Sequence, residues 1–305
     1  MLHLHAEHSP IYGSYLKALD RAPESITDIQ RIPFLPITLF RKHQVVLHGL
    51  KAEVLFTSSG TTGSITSTHH VPFVDSYERS FMSSFRSVYG DPSEWRILAL
   101  LPAYLEREGS SLVYMAEKLI AASGDVLSGT YLYQYDKLAE IIRQSEAEGR
   151  KTLLLGVTFA LLDLAEQHPM ALKHTTIMET GGMKGRRPEL VREELHSILK
   201  KAFAVPTIHS EYGMTELLSQ AWSTGEGRYR CPPWMKVRIR DVNDPFCTMP
   251  IGRTGGIDVI DLANAASCPF ISTQDLGRMH ADGSFEVLGR FDHSQVRGCN
   301  LMMEG

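Results

Sequence analysis

A stretch of hydroxyl side chains and glycines on one turn could hold an anion. It reads FTSSGTTGSITST from Phe56 to Thr68, and every residue from Thr57 onward except Ile65 is Ser, Thr or Gly. The backbone N–H groups of a glycine-rich loop can point at one anion, and hydroxyl groups add further donors. A flexible solvent-exposed turn would have a similar composition. Because the hydroxyls are crowded and directly follow an apolar run at 54–56, we favour a phosphate-binding loop after a buried strand.

The loop differs from the two common nucleotide-binding patterns. No Gly-Lys-Ser/Thr closes it, as a Walker A loop requires, and its glycines do not follow the GxGxxG spacing. The sequence therefore predicts a phosphate loop of another type.

The cysteines are the candidate nucleophiles. Their spacing contains no CxxC, and they are too sparse in a chain of this length for a disulfide framework, so we expect reduced thiols and no zinc cluster. Cys299 lies near a chain end, where mobility is expected, and Arg297 would favour its thiolate. An inert surface thiol is the alternative for Cys299. The four cysteines are Cys231, Cys247, Cys268 and Cys299.

Composition excludes several classes of function. The chain has 305 residues, 43% hydrophobic and 22% charged, as in a soluble globular protein of one large or two ordinary domains. A formal net charge of -4 gives no general attraction to nucleic acid. No apolar run of about 18 residues predicts a membrane span, and the N-terminus does not resemble a signal peptide. We therefore expect a cytoplasmic protein without membrane insertion.

Strands and helices alternate through roughly residue 220, which predicts an α/β architecture with largely buried strands. Beyond that point, short strands between Gly and Pro turns predict a β-rich subdomain. We expect one domain over 1–305, divided into an α/β part at 1–220 and a β-rich part with the C-terminal tail at 221–305. Helices are predicted at 77–89, 110–122, 138–148, 160–167 and 187–203. Strands are predicted within 96–102, 151–159, 174–182, 206–216, 236–242, 254–262 and 283–291.

Four motifs in order resemble those of the adenylate-forming (ANL) superfamily. TSSGTTG at 57–63 resembles its phosphate loop, SEYGMTE at 210–216 its YGxTE motif, STQDLGR at 272–278 its TGDLG motif, and GRFDHSQVRG at 289–298 its hinge motif. The resemblance implies an adenylation domain of mixed sheets layered with helices plus a small β-rich subdomain. It also implies ATP, Mg²⁺ and a small-molecule carboxylic acid as ligands.

The same resemblance implies roles for individual residues. Tyr212 would stack on adenine, Thr215 would bond the α-phosphate, and Glu216 would hold Mg²⁺. Asp275 would accept hydrogen bonds from the ribose hydroxyls, and Arg290 would reach the ribose or the phosphates. The residues expected to hold the β- and γ-phosphates are Thr57, Ser58, Ser59, Gly60, Thr61, Thr62 and Gly63. Further contacts are expected from Gly181, Gly182 and Lys184 of METGGMKG, and from Glu211, Gly213 and Met214 around Tyr212.

The chain departs from ordinary superfamily members in two respects. The sequence has no counterpart of their C-terminal lid domain with its catalytic Lys, and SITSTHH stands where a Lys usually follows the phosphate loop. The missing lid and the chain length resemble those of the acyl-protein synthetase (LuxE) family, and the blocks IPFLPITLFRKHQV, HSEYGMTELLSQAW and GRFDHSQVRGCNL resemble blocks of its sequence. That family carries an acyl-accepting cysteine, which matches Cys299 here.

Three hypotheses follow. In the first, a fatty or similar acid is joined to AMP, and its acyl group is transferred to Cys299. From there the acyl group passes to a partner such as a reductase or a carrier. In the second, the acyl group goes to CoA or a carrier thiol, and Cys299 is a bystander. In the third, the chain is a catalytically weak nucleotide-binding scaffold. For His209 we favour a packed role over a base, and for His69 and His70 either a phosphate contact or the surface.

Overall fold

The computed structural model describes residues 1–58, 66–102, 109–181 and 190–290. These residues form seven helices of at least seven residues and thirteen strands, with short 3₁₀ turns between them. The helices are α1 (Leu2–His8), α2 (Pro10–Ala18), α3 (Val74–Tyr89), α4 (Ser111–Ser123), α5 (Tyr135–Ala147), α6 (Thr158–Gln167) and α7 (Arg192–Phe203). The strands are β1 (Leu35–Pro36), β2 (Val54–Thr57), β3 (Thr68–Val71), β4 (Arg96–Leu100), β5 (Gly129–Tyr131), β6 (Thr152–Val157), β7 (Thr175–Thr180), β8 (His209–Tyr212), β9 (Ala221–Ser223), β10 (Met235–Arg240), β11 (Thr254–Asp261), β12 (Phe270–Met279) and β13 (Phe285–Arg290).

A six-stranded sheet in the order β5-β4-β6-β7-β8-β9 forms the larger layer. Its strands are parallel except for β9, which runs antiparallel to β8. Every residue of β4 and β6 is buried, which explains their continuous apolar runs, because helices cover both faces of such a sheet. The core around this sheet includes the rings of Phe81, Phe85 and Phe159.

A second sheet has the order β1-β12-β11-β10, with β13 also paired to β12. Its strands are antiparallel apart from β1. The apolar core on this sheet takes in Leu2, Tyr12 and Phe40 of the N-terminal segment together with Tyr212 and Phe285. The first 45 residues thus pack against the second sheet, although its strands β10 to β13 begin only at Met235. The domain boundaries given above stay a prediction.

The strand before the hydroxyl-rich turn forms, but the prediction that it is buried was wrong for Leu55, which is 48% exposed. Strand β2 pairs only with β3, in a two-stranded hairpin outside both larger sheets. Such a hairpin buries one side chain in two, and here Phe56 is the buried one. We call residues 54–58 and 66–71 the hydroxyl-rich hairpin.

Other corrections concern strands and one helix start. Strands β3, β5, β9 and β12 were not predicted, the first three because they are only three or four residues long. Strand β12 contains the STQDLGR motif, for which no secondary structure was predicted. Helix α7 begins at Arg192, whereas a start near Pro188 was predicted; Glu193 and Glu194 then fall in its first turn, where the helix dipole favours acidic side chains.

Within the described ranges, no helix combines the length and apolar character that a membrane crossing requires.

Candidate functional site

The carboxyl ends of the parallel strands carry most of the predicted residues. Strand β7 ends at Thr180 and leads into Gly181, and β8 ends at Tyr212 and leads into Gly213. The pairing of Glu179 with Ser210 places Thr180 beside Glu211. Ligands of open α/β sheets bind outside the carboxyl ends of the strands, so this edge is the candidate site.

The hydroxyl-rich hairpin is closed by local hydrogen bonds. The N–H of Ser58 donates to the carbonyl of Ser67 over 3.0 Å, and the N–H of Ser67 donates to Ser58 Oγ over 2.9 Å. The N–H of Thr57 donates to the carbonyl of Gly109 over 2.7 Å, which attaches the hairpin to the chain that follows β4. The remaining predicted residues lie outside the described residues: Ser59, Gly60, Thr61, Thr62, Gly63, Gly182, Lys184 and Cys299.

A fully buried histidine joins this hairpin to the motif after β8. The Nδ1 of His69 donates to the carbonyl oxygen of Thr215 over 2.8 Å, and its Nε2 lies 3.1 Å from Asn264 Oδ1. The Asn264 amide nitrogen in turn donates to the carbonyl oxygen of Glu216 over 2.8 Å. His69 and Asn264 therefore hold both peptide carbonyls of the Thr215–Glu216 pair. We call these contacts the histidine junction.

The expectation that His69 contacts phosphate or lies at the surface was wrong. Its side chain is 0% exposed, both ring nitrogens face protein oxygens, and Phe40 packs edge-on at 5.5 Å between ring centroids. Burial lowers the pKa of His69 to about 4, against the effect of its hydrogen bonds. Nothing in the sequence around Asn264 distinguished it, and sequence reasoning missed it.

Glu216 lies at the same junction, with a side chain that is almost completely buried. Burial raises the pKa of its carboxyl, while the Ser67 hydroxyl and the charges of Arg290 and Arg41 act in the opposite direction. No group of three or more His, Cys, Asp or Glu within the described part of the chain could hold a metal ion. A single carboxylate still suits Mg²⁺, which keeps several waters and takes further oxygens from phosphates.

Tyr212, Asp275 and Arg290 lie together on the other side of the strand edge. The Tyr212 hydroxyl donates to Asp275 Oδ2 over 2.9 Å, and Arg290 Nε lies 3.4 Å from Asp275 Oδ1. Burial raises the pKa of Asp275, and Arg290 opposes that rise. The Tyr212 ring is buried against Tyr229 and Phe285, at 5.9 and 5.6 Å between centroids. Its stacking on adenine stays a prediction.

A buried ion pair supports the end of β7 from the opposite face to Glu211. Arg192 Nη1 lies 2.7 Å from Glu179 Oε1 and 3.3 Å from Ser210 Oγ, and it also contacts the Tyr229 hydroxyl. His196 Nε2 is 3.6 Å from the same Glu179 oxygen. Because buried carboxylates need such partners, this network fixes β7 directly before Gly181.

The remaining candidates have clear surroundings. His209 is packed, as favoured from the sequence, with its ring 5.7 Å from that of Tyr89 and its Nδ1 3.1 Å from the tyrosine hydroxyl. The three described cysteines are free thiols. Burial raises the pKa of Cys231 and of Cys268 to about 12, which makes both poor nucleophiles, whereas Cys247 is exposed.

Solved structures share this fold at low sequence identity. MatB from Rhodopseudomonas palustris, solved with ATP bound, is 18% identical with a TM-score of 0.58; the match covers 77% of this chain and 47% of MatB. O-succinylbenzoate coenzyme A synthetase (MenE) from Bacillus subtilis, in complex with AMP, is 18% identical with a TM-score of 0.54, covering 77% and 49%. 2-Hydroxyisobutyryl-CoA ligase, in complex with 2-HIB-AMP and CoA, is 12% identical with a TM-score of 0.65, covering 96% and 68%.

The matched part of this chain spans about half the length of MatB and MenE. No family model and no curated protein matches the sequence. The structural likenesses confirm the predicted fold class, an α/β fold shared with these solved structures.

Proposed function

We propose that the protein activates a carboxylic acid with ATP, forming an acyl-adenylate and pyrophosphate, and then transfers the acyl group to a thiol. One observation carries the proposal. The histidine junction brings the hydroxyl-rich hairpin onto Thr215 and Glu216 at the carboxyl edge of the sheet. This contact brings hydroxyl groups and a carboxylate to one edge of the sheet, where the charge of Arg290 also acts on Glu216, and our proposal is that a polyphosphate binds there.

The ligands of the structural neighbours support a nucleotide there. MatB was solved with ATP, MenE with AMP, and the hydroxyisobutyryl ligase with an acyl-AMP and CoA. In this chain the Asp275 carboxyl would accept the ribose hydroxyls, and Glu216 would hold Mg²⁺, which neutralises phosphate charge when bound.

The first reaction needs positioning and charge stabilisation more than acid–base chemistry. A carboxylate oxygen of the acid attacks the α-phosphorus, a C–O–P linkage forms, and the bond to the β-phosphate breaks with release of pyrophosphate. Thr215 would bond the α-phosphate, and Arg290 would offset the negative charge on the phosphates. Arg290 suits this role because its side chain is 73% exposed and its guanidinium lies beside Asp275.

The second reaction joins the acyl carbon to a thiolate and releases AMP. Our proposed acceptor is Cys299, on the strength of the resemblance to acyl-protein synthetases and because Cys231 and Cys268 are buried thiols of raised pKa. From Cys299 the acyl group would pass to a reductase or carrier protein. A fatty acid as substrate rests on that resemblance alone.

Transfer to CoA is the second candidate, because two of the structural neighbours are named as a CoA ligase and a coenzyme A synthetase. The two candidates differ in what becomes acylated. The protein is incubated with Mg-ATP and a panel of acids while pyrophosphate release and intact protein mass are measured. An acyl adduct that is lost in Cys299→Ser but kept in Cys247→Ser supports acyl transfer to Cys299. Pyrophosphate release without any adduct, with turnover on adding CoA, supports the second candidate.

A further inference from the structure

Four polar side chains converge between the ends of β7 and β8 and helix α3. Thr180 Oγ1 donates to Glu211 Oε2 over 2.5 Å. The Gln220 amide nitrogen lies 3.5 Å from the Tyr77 hydroxyl, which itself donates to the carbonyl of Ser111 over 3.0 Å. A Cβ built on Gly213 would overlap Glu211 Oε1 and lie 3.3 Å from Gln220 Cγ, so the glutamine runs beside the carboxyl. We call Tyr77, Thr180, Glu211 and Gln220 the Glu211 cluster.

The cluster adjoins the candidate nucleotide residues without sharing their side of the strand. Successive side chains of a strand point to opposite faces, and here Tyr212 points to Asp275 while Glu211 points toward Thr180 and Tyr77. Glu211 is therefore next in sequence to the predicted adenine contact, Tyr212. On the neighbouring strand it lies beside Thr180, which leads into Gly181. A ligand group that reaches past the phosphates toward α3 would meet this cluster.

Among the described residues, Glu211 has no cation paired with it, unlike most buried carboxylates. Its neighbour on β7, Glu179, pairs with Arg192, but no ion pair with Glu211 occurs among residues 1–58, 66–102, 109–181 and 190–290. Burial raises the pKa of Glu211 to about 7, and the charge of Glu179 contributes in the same direction. A buried carboxylate without a cation is costly, and a donor from a ligand removes that cost.

The side-chain oxygen of Gln220 is a second acceptor of the cluster, and no described residue donates a hydrogen bond to it. Its side chain is 3% exposed, and its Oε1 has no hydrogen-bond partner in the described part of the structure. Polar atoms buried in this way are normally satisfied, and an exception calls for a ligand or a water. The cluster therefore contains two acceptors, the Glu211 carboxyl and Gln220 Oε1, that a group with hydrogen atoms on nitrogen or oxygen would satisfy.

We propose that the acid activated by this protein carries an amino or hydroxyl group, which donates to Glu211 and Gln220. The proposal rests on the proposed function and names the substrate class of that site. An unsubstituted alkyl chain in this place would leave Gln220 Oε1 without a donor and Glu211 with only the Thr180 hydroxyl as a donor among the described side chains, so the site discriminates against it. The apolar run at 153–164, a possible lining for a fatty tail, is instead packed in the core of the large sheet.

The test compares acids that share a carbon skeleton and differ in one substituent. Suitable sets are hexanoate with 6-hydroxy- and 6-aminohexanoate, propanoate with its 2- and 3-hydroxy and amino forms, and benzoate with its 3- and 4-hydroxy and amino forms. Acid-dependent pyrophosphate release gives kcat/KM for each. We expect the donor-bearing member of at least one set to exceed its unsubstituted parent by about tenfold or more.

Glu211→Gln separates the two kinds of donor. The amide oxygen still accepts from a hydroxyl, so hydroxy acids keep most of their advantage, whereas an ammonium group loses its charged partner and its advantage falls by about tenfold. Glu140→Gln, at an exposed position of α5, is the matched control and leaves every ratio unchanged. Thermal unfolding of each variant verifies that it is folded.

The inference would be overturned if, in every set, the unsubstituted acid had the same kcat/KM as its donor-bearing partners and Glu211→Gln left these kcat/KM ratios unchanged. The proposed function would remain intact. No pyrophosphate with any acid would instead count against the proposed function. Binding of the same acids, followed by calorimetry in the presence of AMP, then decides the inference separately. It stands if a donor-bearing acid binds more tightly than its parent, with that preference lost in Glu211→Gln where the donor is an ammonium group and kept where it is a hydroxyl, and it fails otherwise.

Discussion

The Nδ1 of His69 lies 2.8 Å from the carbonyl oxygen of Thr215, although 146 residues separate the two in sequence. This hydrogen bond connects the strand after the hydroxyl-rich turn to the motif that follows β8. Because Asn264 extends the contact to the Glu216 carbonyl, a shift of β3 would also displace Thr215 and Glu216. The proposed phosphate ligands from two parts of the chain are thus held in one rigid arrangement.

Replacing His69 is expected to weaken nucleotide use. His69→Ala removes a donor to Thr215 and leaves buried carbonyls unsatisfied, so kcat/KM for Mg-ATP should fall by about 10- to 100-fold. His69→Asn keeps a donor at nearly the position of Nδ1 and should recover part of the loss. Pyrophosphate release at varied Mg-ATP gives kcat and KM separately.

The control for these variants is His43→Ala, at an exposed position. A purely structural role of His69 would lower thermal stability and leave the KM for Mg-ATP unchanged in the folded fraction. Equal KM values in wild type, His69→Ala and His69→Asn would therefore contradict the junction's role in positioning Thr215.

Gly213 is expected to tolerate no side chain. A Cβ there would overlap Glu211 Oε1, so Gly213→Ala forces the buried carboxyl to move and should cost about 1–3 kcal/mol of stability together with activity. Gly129→Ala is the comparison, since its added Cβ would meet Tyr131 only at 3.9 Å. Denaturant unfolding measures both. If the overlap is the cause, Glu211→Ala in the Gly213→Ala background restores stability, and no recovery in that double variant argues against it.

Stability is expected to fall in mild acid because of His5. Burial lowers its pKa to about 4 in the folded protein, whereas the unfolded chain takes up a proton near pH 6.5. Between these values the unfolded state binds more protons, so the free energy of unfolding decreases as pH falls from about 7 to about 4, by about 3 kcal/mol for this residue.

The measurement is denaturant unfolding as a function of pH in wild type and His5→Phe. Phenylalanine suits the aromatic neighbours Tyr12 and Phe270, at 6.3 and 6.4 Å between ring centroids, and it cannot be protonated. The variant should lose this part of the pH dependence, and His3→Gln, exposed on the same helix, should keep it. Identical pH slopes in wild type and His5→Phe would contradict the assignment.

Removing Arg192 is expected to leave Glu179 as an unpaired buried carboxylate. Arg192→Met should lower the free energy of unfolding by about 3–5 kcal/mol, because His196 and the Ser210 hydroxyl are then the carboxylate's remaining partners among the described residues. Adding Glu179→Gln removes the charge and should return much of that stability. A double variant as unstable as Arg192→Met would show that packing of the arginine, rather than its charge, is what the fold requires.

Sequence patterns predicted the fold better than the site. The buried strands β4 and β6 are continuous apolar runs, and α4 is preceded by Ser110 and followed by Gly124, ordinary start and stop signals. Strand β12 was missed because its residues were interpreted as a ligand motif. Its sequence does not alternate between apolar and polar residues, since the buried positions from Ile271 onward include Thr273 and Asp275.

The contacts of His69 and Asn264 could not be predicted because they depend on partners far away in sequence. Nothing local distinguishes a histidine on a hairpin strand that reaches a carbonyl from one that faces solvent. Glu211 was predicted as a nucleotide contact only through its place in a motif. That no cation among the described residues pairs with it follows from the packing of α3 and β8. The order of the motifs indicated which segments lie near one another. The tertiary structure shows which side chains connect these segments.

The most direct test of the central claim follows one oxygen atom. The acid that supports pyrophosphate release is labelled with ¹⁸O in its carboxyl group and converted with Mg-ATP in the presence of the thiol acceptor. If the carboxylate attacks the α-phosphorus, one ¹⁸O remains on the phosphate of AMP after acyl transfer, and mass spectrometry of AMP detects it. Unlabelled AMP, or label that appears in inorganic phosphate with ADP as the product, would contradict adenylate formation.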